Sequence, residues 1–254
     1  MEPAMSFFPN HCSGAVSLTF DDGMDSQRLI ALPEMNRRGL RGTFYLNPKG
    51  DADEGSPNNW KSRLALWLEA AQAGHEMGNH SIHHPCSLNI NVEFTPRNLL
   101  DMSLRDLEMD LREAQFRLSE AFPTQKATSF AYPCYETTVG RGASRTSYIP
   151  LIARMFVAAR ARGEMGNDPL YCDLHHLSSY PVERMPAPYL IGLVEQAIAY
   201  KRWVIFTFHG INEGHLPVSQ VDFVELLDHL VRRRSEVWTA PVAEIAAYIR
   251  SREE

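Results

Sequence analysis

Hydrophobic and polar residues alternate in blocks along this chain, and the period changes from block to block. Ala15-Val16-Ser17-Leu18-Thr19-Phe20 is apolar and β-prone, and it ends in Asp21-Asp22-Gly23. Such a run reads as a buried strand closed by a turn. Residues 42–46, 75–79, 128–132, 155–159, 203–208 and 237–239 read as further strands. Between them apolar positions step by three and four, the spacing of amphipathic helices. The sets are Leu29, Ile30, Leu32 and Met35, then Trp60, Leu64, Trp67, Leu68 and Ala71. Leu104, Leu107, Leu111, Ala114, Leu118 and Ala121 mark the longest helix. Leu190, Ile191, Val194, Ala197 and Ile198 mark a fourth, Val221, Val224, Leu227 and Leu230 a fifth, and residues 242–249 a closing one. Asp25-Ser26 has the chemistry of a helix N-cap, Pro33 interrupts the helix that follows, and Gly39 and Gly74 stop helices. Residues 47–59 and 87–97 read as polar loops, 136–150 has no clear period, and 167–181 mixes loop with short extended pieces.

Strand and helix thus alternate from end to end, which predicts a parallel sheet or a β/α barrel. No linker or internal repeat divides the chain, so residues 1–254 read as a single catalytic domain. The unusual polar residues fall repeatedly just after strands. These are Asp21 and Asp22, the run from His80 to His84, Tyr132 to Tyr135, and His209. In β/α barrels the chemistry sits at that end of the strands.

Composition narrows the partners. The net charge of -6 provides nothing to attract a polyanion, so nucleic acid is not expected. Apolar runs are too short to span a bilayer, and the first twelve residues lack the pattern of a signal peptide. The expectation is a cytoplasmic protein or a trimmed secreted one, with no membrane partner. Cys12, Cys86, Cys134 and Cys172 form no C-x-x-C pair, and free thiols are expected. Cys86, Cys134 and Cys172 are all expected at the rim that carries the chemistry, and Cys12 towards the opposite end.

Two adjacent acids at the end of a buried strand need compensation, because desolvating an unpaired charge is costly. A metal ion would supply it. His80-Ser81-Ile82-His83-His84-Pro85 holds three imidazoles in five positions, and imidazole is the commonest metal ligand. One acid with two histidines leaves coordination positions open, as a catalytic metal requires. Spacing alone does not separate His83 from His84 as the partner of His80.

Taken together, these residues resemble the polysaccharide deacetylases, carbohydrate esterase family four, also called the NodB homology domain. Thr19-Phe20-Asp21-Asp22-Gly23 is similar to the family's first motif, and His80-Ser81-Ile82-His83-His84-Pro85 to its second. Phe206-Thr207-Phe208-His209 looks like its last. The resemblance implies a distorted (β/α)7 barrel and a divalent metal held by Asp22, His80 and His84, most naturally Zn²⁺, with Co²⁺, Ni²⁺ or Mn²⁺ as alternatives. It implies Asp21 as general base and His209 as general acid, with Ser81 orienting the His84 segment. The family's third motif, Arg-Pro-Pro-Tyr, is altered here to Ala131-Tyr132-Pro133-Cys134-Tyr135. No arginine is then expected beside Asp21, and the oxyanion donor is the N–H of Cys134 or of Tyr135. Tyr132, Cys134 and Tyr135 are carried over as substrate-binding residues. Asp173, with Asp168 as rival, is the nearest match to the carboxylate that tunes the acid. The implied activity is removal of acetyl groups from an N- or O-acetylated carbohydrate. A C–N hydrolase acting on a small amide or cyclic ureide is the alternative, and a non-catalytic carbohydrate-binding domain a third reading.

Overall fold

Strand β1 (Gly14–Asp21) is buried along its whole length and is the axis of the sheet. The computed structural model describes residues 6–53, 55–56, 58–87 and 97–252. The other strands, in chain order, are β2 (Thr43–Leu46), β3 (Glu76–Asn79), β4 (Phe130–Ala131), β5 (Thr138–Val139), β6 (Thr146–Ser147), β7 (Ala159–Arg160), β8 (Tyr180–Pro181), β9 (Trp203–Phe208) and β10 (Val237–Thr239). β5 and β6 form a small antiparallel hairpin. The rest make one sheet in the order β7-β4-β3-β2-β1-β9-β8, and every pairing in it is parallel. On one side of β1, β2 pairs with its upper half and β10 with its lower half. The free edge of β7 exchanges backbone hydrogen bonds with Leu174 and Leu177, in the run that leads to β8 at the opposite edge. The sheet therefore curls into the expected distorted (β/α)7 barrel. No helix among the described residues is long and apolar enough to cross a membrane.

The alternation Ser17-Leu18-Thr19-Phe20-Asp21 sorts side chains between the two faces. Val16, Leu18 and Phe20 pack outward with Phe44, Phe208 and Phe223 under the helices. Ser17, Thr19 and Asp21 hydrogen-bond instead, Ser17 to the Ala240 carbonyl and the Trp203 indole, Thr19 to the Phe206 carbonyl. Burying polar groups is tolerable only when they are hydrogen-bonded, and here they are. At the opposite end of the strands Glu76 is buried with four donors. Ser129 donates through N–H and hydroxyl at 2.7 Å each, Thr43 at 2.8 Å and the Ala243 N–H at 3.0 Å.

Several elements differ from the sequence expectation. The segment at 155–159 is not one strand. A helix runs over Ile149–Met155 with Pro150 in its first turn, where a missing N–H costs nothing, and β7 starts only at Ala159. The 60–71 pattern gives two short helices, Trp60–Ala65 and Leu68–Gln72, because Trp67 leaves helical geometry and lays its ring on Phe44. Ser26 is not an N-cap. It lies inside the helix, and its hydroxyl accepts the Ile211 N–H at 2.8 Å. A π-turn over Gln27–Ala31 precedes Pro33, and the amide of Gln27 reaches the carbonyls of both Asp21 and His209. The expected loop at 87–97 lies mostly outside the described residues. The longest helix, Leu104–Ala121, opens with a capping box between Ser103 and Asp106.

His75 gives the fold a pH dependence. Its Nδ1 accepts the Gly42 N–H at 3.2 Å and its Nε2 faces the Asn36 side-chain oxygen at 3.1 Å, so the neutral ring fits both partners. Burial, with Arg41 adding to it, pushes its pKa down to about 3. The unfolded chain binds this proton below about 6.5 and the folded one does not, so stability falls as pH drops from about 6.5 towards 3. Between pH 7 and pH 5 this group alone removes about 2 kcal/mol. Urea unfolding at both pH values should show a drop smaller by that amount in His75→Gln than in the wild type. An identical drop would contradict the assignment.

Candidate active site

At the carboxyl end of β1 the chain reverses abruptly. Asp22 has φ of 73° and Gly23 φ of 64°, two successive left-handed residues. Gly23 tolerates this without a Cβ, and one placed there would press on Leu46 at 3.2 Å. The reversal lets adjacent acids serve different ends. Asp21 stays in the barrel wall, with its side chain 5% exposed, whereas Asp22 turns into the mouth at 38%.

The histidine segment follows β3 and is pinned from several sides. Asn79 accepts the Ser81 N–H at 2.8 Å, and Asn47 donates to the carbonyls of His80 and Ser81. Asp110, buried on helix Leu104–Ala121, accepts the Ile82 N–H at 2.9 Å and the His83 Nδ1–H. His83 is thereby turned away. His84, at φ of 48°, is brought in, with its N–H on the Ser81 hydroxyl at 2.9 Å. Asp110 thus draws apart the two imidazoles that spacing left equivalent.

His80 Nε2 and His84 Nε2 lie 3.7 and 3.8 Å from the same oxygen of Asp22. Ligands about 2.0–2.2 Å from a tetrahedral ion sit about 3.3–3.6 Å apart, close to these two separations. His80 donates its Nδ1–H to the Ala131 carbonyl at 2.8 Å, which leaves the Nε2 lone pair facing Asp22. Burial pushes the pKa of both imidazoles down to about 4, so each is neutral and able to ligate at pH 7. Two neutral nitrogens and one carboxylate fit a divalent cation with open positions.

Asp21 has a partner that the sequence did not reveal. Arg160, wholly buried, places Nη2 2.6 Å from each Asp21 oxygen and Nη1 2.9 Å from the Thr207 hydroxyl. The guanidinium also lies over the rings of Tyr45 and Tyr135, at 5.1 and 5.7 Å. The expectation that no arginine holds Asp21 is therefore corrected. Alignment with that motif puts Ala131 or, shifted by one, Tyr132 at the arginine position, and Ala131 pairs in register with Arg160 on the next strand. The same charge reaches the same level of the barrel from one strand over. Burial raises the Asp21 pKa, but Arg160, His80 and His209 together outweigh it and hold the carboxyl below its ordinary value.

His209 follows β9, with Nε2 4.0 Å from Asp21 and 3.9 Å from Asp22. Burial keeps it below its ordinary pKa against the pull of both acids, and its Nδ1 has no hydrogen-bond partner among the described residues. Asp173 does not supply one. Its carboxylate is exposed and caps the His175 N–H at 2.8 Å, while Asp168 pairs with Arg202. Among the described residues no carboxylate other than Asp21 and Asp22 lies within 4.0 Å of His209. The exposed ring of His215, 5.7 Å away, is its outer neighbour and was not singled out from the sequence.

The third-motif region is also corrected. Tyr132 is a core residue. It is buried among Phe130 and Tyr148, with its hydroxyl on the His175 carbonyl at 2.8 Å, so it cannot contact substrate. Cys134 is not a free thiol but is disulfide-bonded to Cys86. Cys172 packs with Cys12 and Trp203 in a separate cluster rather than at the rim. Cys134 and Tyr135 both adopt positive φ. The Tyr135 N–H is spent on the Tyr132 carbonyl at 2.9 Å, whereas that of Cys134 makes no hydrogen bond among the described residues.

Removing the cation beside Asp21 should be costly. Arg160→Met leaves a buried carboxylate unpaired, and a loss of about 3–5 kcal/mol in denaturant unfolding is expected. Adding Asp21→Asn should restore much of it. A double variant no more stable than Arg160→Met would contradict the pairing.

Residues 9–145 match the family model described as Polysaccharide deacetylase. No curated protein matches the sequence. Among solved structures, a protein from Mycobacterium smegmatis is similar with a TM-score of 0.63 at 15% identity, covering 100% of this chain and 96% of its own. One from Pseudomonas aeruginosa PAO1 gives 0.64 at 10%, covering 97% and 94%. Both are assigned as polysaccharide deacetylases. Peptidoglycan deacetylase PdaC from Bacillus subtilis gives 0.51 at 15%, covering 94% and 93%. At these identities the likeness speaks for the fold. The family match over more than half of the sequence carries the rest, and the chain belongs to the polysaccharide deacetylase family.

Proposed function

We propose that this chain is a metal-dependent hydrolase that removes acetyl groups from an N- or O-acetylated carbohydrate. One observation carries the reading. Asp22, His80 and His84 converge within 4.8 Å at the barrel mouth, with Asp21 and His209 flanking them. A divalent ion held there, Zn²⁺ by preference, would polarise the acyl oxygen and make water a better nucleophile. The chain's own residues do the remainder. Asp21, ionised and fixed by Arg160, accepts the proton of the attacking water. His209 is neutral in the resting pocket, so it must gain a proton before it can give one to the leaving group. Once Asp21 holds the water's proton, its Oδ2, 4.0 Å from His209 Nε2, can pass that proton on. The unspent N–H of Cys134 is the donor available to the developing oxyanion. The substrate class is supported by the family match and by the likeness in fold to a peptidoglycan deacetylase from Bacillus subtilis.

Acetate release from acetylated xylo- and chito-oligosaccharides, run beside cyclic ureides, tests the reading. Acetate is expected and should disappear on chelation. Asp21→Asn should retain metal and lose ~10²–10⁴-fold in turnover, the usual cost of removing a general base. His209→Ala should harm amide substrates far more than p-nitrophenyl acetate, whose leaving group needs no acid. Hydrolysis of a ureide without any acetate release would overturn the assignment, and full activity in Asp21→Asn would overturn the role given to Asp21.

A further inference from the structure

His84 turns one ring nitrogen to Asp22 and the other to sulfur. Its Nδ1 lies 3.5 Å from Sγ of Cys86. Metal-ligating histidines usually give their second nitrogen to a carbonyl or carboxylate, as His80 does with Ala131. At His84 that place is taken by the Cys86–Cys134 disulfide. The nearest ligand atoms of His84, Cys86 and Cys134 all lie within 4.8 Å of one another. One imidazole nitrogen and two cysteine sulfurs form a donor set suited to thiophilic divalent ions. With the sulfurs bonded to each other, that set is closed.

We propose that the Cys86–Cys134 disulfide masks a second metal site, His84–Cys86–Cys134, which a dithiol reductant opens to a thiophilic divalent ion such as Zn²⁺ or Cd²⁺. Cys134 is partly exposed and Cys86 fully buried, so attack falls on Cys134. A reductant thiolate bonds to its Sγ, the S–S bond breaks, and the electron pair leaves on Cys86. The second reductant thiol then displaces Cys134. The reductant leaves as a cyclic disulfide, having supplied two electrons, and the two cysteines take up two protons. Those protons pass to solvent when the ion binds. Two sulfurs about 2.3 Å from a tetrahedral ion stand about 3.7 Å apart. The Cα atoms, 5.8 Å apart, allow that separation by side-chain rotation alone.

A neutral imidazole has one lone pair. An ion on Nδ1 leaves the ring proton on Nε2, so His84 no longer offers a lone pair beside Asp22 and His80. The two sites therefore exclude each other. This consequence rests on the metal-dependent reading above, but the sulfur site does not.

Co²⁺ is the probe, because thiolate ligation adds a sulfur-to-metal charge-transfer band in the near ultraviolet. Oxidised wild type should bind Co²⁺ without that band. Protein reduced with dithiothreitol and freed of it anaerobically should gain the band at one equivalent. The band should vanish in the Cys86→Ser, Cys134→Ser double variant. It should persist in the Asp22→Ala, His80→Ala background, where the other cluster is dismantled, so failure of the proposed function leaves this reading intact. A reduced wild type with unchanged far-ultraviolet circular dichroism and no band would overturn the proposal. So would a band of equal strength in the double cysteine variant.

Discussion

Asp21 sits ionised inside the barrel wall chiefly because Arg160 sits there with it. Neither charge survives burial alone, and the two contacts of 2.6 Å join β1, inside the sheet, to β7 at its edge. The Thr207 hydroxyl accepts from Nη1, and the rings of Tyr45 and Tyr135 lie against the guanidinium. The barrel must close far enough for β7 to face β1 before this pair can form. The site is thus coupled to the curvature of the sheet. Once Asp21 is fixed, the left-handed turn at Asp22 and Gly23 delivers the second acid to the mouth.

The rest of the mouth depends on loops held by named contacts. Asp110 takes His83 out of play and Ser81 draws His84 in. Gln27 ties the ends of β1 and β9 together through the carbonyls of Asp21 and His209. The disulfide fastens the histidine segment to the turn after β4. Each tie acts on backbone next to a functional side chain, which is how a pocket made of loops keeps its geometry.

Much of this was legible in the sequence, for physical reasons. The alternation Ser17-Leu18-Thr19-Phe20-Asp21 separates the outer face from the polar interior in period two, and the long helix follows its three-and-four spacing. The polar residues after strands marked the functional end of the barrel. What stayed hidden came from contacts remote in sequence. Arg160 follows the apolar run 156–159. A charged residue at such a strand end was the available clue, but only the register with Ala131 reveals its purpose. The disulfide joins residues 48 apart, and neither cysteine lies in a recognisable pair. Tyr132 and Tyr135 look alike in the sequence, yet the turn after β4 sends one into the core and leaves the other against Arg160.

In the proposed enzyme Asp22, His80 and His84 hold a single divalent ion beside an Asp21 fixed by Arg160. Anomalous X-ray scattering at the zinc edge, from crystals of the oxidised protein grown with Zn²⁺, decides whether they do. One peak is expected, bonded to an Asp22 oxygen and to Nε2 of both histidines, with Asp21 still paired to Arg160 and His83 still on Asp110. A peak coordinated by His83 in place of His84, or by Asp21 with Arg160 displaced, would contradict it.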